Sequence, residues 1–138
     1  MREKALVVLR AGEMLADLIL LVHFALAACI ALGLPLVWIG ARLGWRWVRN
    51  RPLRYAHAAA ILLVAAEALA GAVCPLTRWE DALRAGADGR SFVGRWVARL
   101  LYYDFPESAF ALAYALFAAA TLATLRLVPP RPSSRSGQ

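Results

Sequence analysis

Lysine is almost missing from this chain: Lys4 is the only lysine among 16 basic residues. Cysteine and histidine are scarce, with two of each. Cys29 and Cys74 form neither a C-x-x-C pair nor a zinc-type spacing, which excludes a metal knuckle and a disulfide framework. No phosphate loop, nucleophile elbow or zinc-protease motif occurs, so the common signatures of hydrolytic and phosphoryl-transfer enzymes are absent. Charged residues make up 18% of the chain. The loop from Arg42 to Arg54 contains no acid at all.

What remains is apolar. Of 138 residues, 62% are hydrophobic, and the mean hydropathy is +0.57. Soluble domains rarely have that composition, and long apolar stretches point to a membrane. The length suits one domain, taken as residues 1–128, with a Pro/Ser/Arg-rich tail over 129–138 expected to be disordered. The net charge is +7. Because the arginines flank apolar runs, they read as topology signals and not as a nucleic-acid face, and no nucleic-acid partner is expected.

Three runs are long enough to cross a bilayer: about 15–39, 55–74 and 109–128. The first holds His23 and a bend signal at Pro35, the second His57 and Glu67, and the third ends at Pro129 and Pro130. Ala111, Ala115 and Ala119 form a small-residue stripe on the third, expected to be its packing face. Between the second and third runs, Thr77-Arg78-Trp79-Glu80 matches a capping box, so a short helix is expected over 77–85, with Gly86 and Gly89 beyond it as breakers. Residues 92–103 pattern as an amphipathic helix lying in the headgroup plane. Its apolar face includes Phe92, Trp96 and Leu100, and Arg95 and Arg99 share the polar face. The fold class is therefore all-α, an integral membrane protein with three transmembrane helices and one or two short interfacial helices.

Loop charge places the N-terminus outside and the first loop and C-terminus in the cytoplasm. Trp38, Trp45, Trp47 and Tyr55 form one aromatic belt, and Trp79, Trp96, Tyr102 and Tyr103 the other. Leu26-Ala27-Ala28-Cys29 matches a lipobox, but apolar sequence continues to Ile39, where a mature lipoprotein would turn polar.

Intramembrane ionisable residues are the candidate site. A carboxylate in hydrocarbon is costly unless neutral or paired. Antiparallel packing of the first two helices puts His23 and Glu67 at similar depth, roughly 10–12 Å below the outer surface. The same register sets His57 opposite about Gly33, some 15 Å from His23 along the axis, so one haem cannot take both histidines. His57 is expected at the interface. Glu67, Gly71 and Cys74 recur at helical spacing on one face. His23, Glu67, Cys74 and Asp17 are thus the polar candidates, and His23, Glu67 and Cys74 the candidate metal ligands.

Ala16-Asp17-Leu18 with His23, then His57, Glu67 and Cys74-Pro75-Leu76-Thr77 followed by Glu80, Leu83 and Arg84, resemble a family of small bacterial membrane proteins, the domain of unknown function 2784. The resemblance covers roughly Leu15 to Pro106, and the run Cys-Pro-Leu-Thr-x-x-Glu-x-x-Leu-Arg is its most specific part. Members usually carry a His-Tyr pair in the amphipathic segment, where this chain has Arg95-Trp96. The resemblance implies a bacterial inner-membrane protein and brings no activity. Two functional classes follow. The first is a non-enzymatic structural or accessory protein, partnered by the lipid bilayer and by another membrane protein or a second copy of itself. The second is a membrane-embedded proton, metal or redox-ligand site on His23, Glu67 and Cys74. No cofactor is named by the sequence.

Overall fold

The computed structural model describes residues 2–84, 92–101 and 105–131, with the backbone only at 2–9, 92–94 and 101. The expected tail beyond Arg131, the breakers Gly86 and Gly89, and the aromatic residues Tyr102 and Tyr103 lie outside the described residues.

Among the described residues five α-helices follow one another: α1 (Arg2–Arg42), α2 (Arg51–Leu69), α3 (Pro75–Arg84), α4 (Phe92–Leu101) and α5 (Glu107–Leu127). Three stretches among the described residues are long and apolar enough to span a bilayer: Arg10–Arg42, Arg51–Leu69 and Glu107–Leu127. The fold is all-α, with three spanning helices and additional short ones, as the hydropathy implied. Helix α1 starts well before the expected Leu15, and Gly12 does not interrupt it. It also continues through Cys29 and Pro35. It stops where Gly44 takes φ +76, a left-handed conformation that only glycine adopts cheaply.

Helices α2 and α5 form the main antiparallel pair. Their contact is built on Ile61, Ala65 and Ala118, with Ile30 of α1, Tyr114 and Phe117 packed around them. Alanines let the backbones approach closely, which is how helices associate where lipid is as apolar as the core. The buried face of α5 is Ala118, Thr121 and Thr124. Of the expected stripe, Ala111 and Ala115 are half-buried and Ala119 is exposed. The threonine hydroxyls on that face are satisfied within α5 itself. Thr121 Oγ1 donates to Phe117 O at 2.9 Å and Thr124 Oγ1 to Ala120 O at 2.8 Å.

Helix α1 meets this pair at two places. Gly33 lies against the His57 ring, where an added Cβ would fall 2.4 Å from Nε2. His57 Nε2 lies 2.9 Å from Ile30 O, and its ring meets Phe117 edge-on at 6.5 Å between centroids. His57 is therefore a half-buried bridge between helices. The register that set it opposite Gly33 is the one the fold adopts. Nearer the first loop, Trp38 Nε1 donates to Thr124 Oγ1 at 3.2 Å.

The first loop is folded. A 3₁₀ turn at Trp47–Arg49 tucks the fully buried Val48 against Gly40, where a Cβ would lie 2.5 Å from Val48 Cγ1. Arg54, only 4% exposed, donates through Nη2 to Thr124 O at 3.0 Å and Val128 O at 3.3 Å. A guanidinium on the last carbonyls of α5 satisfies orphan acceptors and complements the helix dipole. Arg131 N then donates to Arg49 O at 2.7 Å, joining the end of α5 to the loop.

Candidate functional site

At the opposite end, α3 packs along the N-terminal half of α1 and carries most of the charge chemistry. Pro75 opens the helix, and Arg78 N donates to Cys74 O at 3.1 Å. Cys74 is therefore the capping position and Pro75 the first helical residue, where its missing N–H costs nothing. The capping box expected at Thr77 is not formed. Thr77 lies inside the first turn, fully buried against its surroundings, and its Oγ1 has no hydrogen-bond partner. Proline at the first turn sets the helix start, so Glu80 falls too deep in the helix to reach back to a cap.

Glu80 instead belongs to an ion network. Its Oε1 accepts from Arg84 Nε at 3.2 Å, an i,i+4 pair, and its Oε2 faces Arg95 Nη2 at 3.5 Å. Arg95 Nη1 donates to Asp81 Oδ1 at 2.5 Å. Arg84 Nη2 donates to Asp17 Oδ1 on α1, also at 2.5 Å. The hydrogen bond to Asp17 is the chief reason that Arg84 holds its proton above the ordinary arginine range. Glu80 and Asp81 are buried, Arg95 is partly so, and the Asp17–Arg84 arm is open to solvent. Three carboxylates and two guanidiniums thus fasten α3 to α1 on one side and to α4 on the other.

The two arginines expected to share a polar face on α4 separate. Arg95 turns into the network, while Arg99 lies over the Trp96 ring, 5.2 Å from its centroid. Trp96 meets Phe24 of α1 edge-on at 5.7 Å. His23 is half-buried on α1, one residue before Phe24.

Glu67 sits elsewhere. Helix α2 ends at Leu69, short of the expected boundary at Cys74, because the chain turns through Gly71 at φ +67. Glu67 therefore occupies the last turn of α2. It is half-buried there. Cys74 is partly exposed at the head of α3 and Cys29 is exposed on α1. Among the described residues, no three His, Cys, Asp or Glu side chains are grouped to hold a metal ion. Of the four polar candidates, Asp17 enters the network through Arg84. Glu80, Asp81 and Arg95, which complete it with Arg84, were not legible as partners because α3 and α4 meet only in the folded chain.

The fold and this network define a small multi-pass helical membrane protein whose charged residues cap one end of its bundle. The profile of the family described as Protein of Unknown function (DUF2784) matches residues 13–130, and the chain belongs to that family. No curated protein and no solved structure matches. Asp17, Cys74-Pro75-Leu76-Thr77, Glu80 and Arg84, which carried the resemblance, are the residues that build the cap.

Proposed function

We propose that this is a non-enzymatic accessory protein of the bacterial inner membrane, with the N-terminus outside and the C-terminus in the cytoplasm. What carries the reading is that the charged groups at the outer end are engaged with one another. Asp17, Glu80, Asp81, Arg84 and Arg95 form closed pairs between elements, the arrangement of a clamp. A reactive site needs a group left poised for substrate. The partner is another membrane protein or a second copy of the chain. Its contact surface is α1, whose Leu18, Leu21, Val22, Leu26 and Leu32 are exposed.

Metal analysis and an absorption spectrum of the detergent-purified chain test this against a metal or redox site on His23, Glu67 and Cys74. The expected result is no stoichiometric metal and no chromophore. In addition, Glu67→Gln and Glu67→Leu should both fold and complement a deletion strain. A stoichiometric metal or visible band that is lost in His23→Ala or Glu67→Gln would overturn the accessory reading.

A further inference from the structure

The end of the molecule away from the ion network has the opposite electrical character. The first loop presents Arg42, Arg49 and Arg51, and the end of α5 brings Arg126 and Arg131 alongside. No Asp or Glu occurs between Arg42 and Ala66 or after Glu107. The fold gathers these two basic segments when repulsion would part them. Arg131 N is bonded to Arg49 O at 2.7 Å, and Asn50 pairs with Arg131 as an isolated bridge. Beneath them Arg54 is buried with two of its bonds on α5 carbonyls, while its Nη1 meets no acceptor. The exposed Trp45 and Trp47 stack at 5.9 Å beside the arginines, with Tyr55 exposed at the start of α2. Such aromatics settle at the headgroup level of a bilayer, which puts the guanidiniums at the depth of lipid phosphates.

We propose that this arginine-rich end is a binding surface for the phosphodiester groups of anionic membrane lipids. Guanidinium forks match phosphate oxygens in pairs. Basic residues beside a spanning helix are attracted to an anionic leaflet, and this attraction weakens once salt shortens the Debye length. The folded loop adds geometry to that attraction. Val48 in its Gly40 notch and the Arg54 latch hold the arginines as one surface, so several act on the same few lipids. The inference does not depend on the accessory reading, since an enzyme in the same fold would present the same surface.

The test uses the full chain in phosphatidylcholine vesicles containing spin-labelled phosphatidylglycerol or, separately, spin-labelled phosphatidylcholine. Electron spin resonance reads the fraction of each held at the protein. At low salt the anionic lipid should associate roughly threefold or more in excess of the neutral one, with the excess falling toward unity near 1 M salt. The triple variant Arg42→Gln, Arg49→Gln, Arg51→Gln should lose most of the preference. The control Arg78→Gln, Arg99→Gln, at the other end, should keep it. Equal association of both lipids with the wild type overturns the proposal, as does a preference that salt does not weaken or that the control abolishes equally. Displacement of the labelled lipid by millimolar inorganic phosphate would assign the surface to soluble phosphate and overturn it too. Should the triple variant fail to fold, the salt titration of the wild type still decides.

Discussion

Gly33 and His57 show how one missing side chain fixes an approach between two helices. A Cβ on Gly33 would collide with the imidazole at 2.4 and 2.5 Å, and the ring is held between Ile30 O and Phe117. Gly33→Ala should therefore destabilise the protein by about 1–3 kcal/mol, the usual cost of overpacking. His57→Ala should cost less, near the average of about 0.6 kcal/mol for a hydrogen bond between membrane helices. In the His57→Ala background, Gly33→Ala should cost almost nothing. Thermal unfolding of all four proteins in one detergent measures the coupling, and additive losses would mean that the ring and the glycine do not meet. Glu67 teaches the converse at the same scale. Its identity drew notice because a carboxylate inside an apolar run is expensive. A single left-handed glycine at position 71 follows the end of the helix, so that carboxylate falls in its last turn.

At the scale of elements, α3 and α5 are each held by arginine, and the two attachments differ in strength. Arg95 is mostly buried against Glu80 and Asp81, with 22% of its side chain exposed. Arg95→Gln leaves two buried carboxylates under-compensated and should lower stability by about 2–4 kcal/mol. The Asp17–Arg84 bridge is open to solvent, with side chains 68% and 37% exposed, so Asp17→Asn should cost only about 0.2–1 kcal/mol. Chemical unfolding ranks them, and an Asp17→Asn loss equal to that of Arg95→Gln would show that the network is anchored on α1 and not between α3 and α4. At the far end Arg54→Gln removes charged donors from the Thr124 and Val128 carbonyls. It should cost about 1.5–3 kcal/mol and speed amide exchange in the last turn of α5 before anywhere else. Uniform acceleration across the chain would mean that Arg54 is not a local latch.

For the molecule as a whole, the governing feature is the separation of charge along the bundle axis. The described carboxylates cluster at the end where α3 caps α1, and the opposite end carries arginine without acid. That asymmetry underlies the proposed orientation, which labelling decides. In a Cys29→Ala, Cys74→Ala background, Gly12→Cys should react with an impermeant thiol reagent from outside intact cells, and Arg51→Cys only after the membrane is opened. Gly12 suits the purpose because an added Cβ there meets no atom within 4 Å. The reverse pattern would invert the orientation while leaving the fold untouched.

The sequence alone determined that three apolar helices cross a membrane, that short amphipathic helices lie between the second and third, and that the first two run in the register that sets His57 against Gly33. These follow from run length, helical period and rise per residue, which are local quantities. It also held the family signature, although not its purpose. Tertiary structure alone decided which faces are buried, because lipid is as apolar as a protein core and hydrophobic periodicity no longer marks the inside. The buried stripe of α5 was chosen by threonines and small residues, while Ala119, read as a packing residue, faces out. Tertiary structure also decided the partners of Glu80, Asp81 and Arg95. Their charges cancel only when α3 and α4 lie side by side, a juxtaposition that no spacing along the chain encodes.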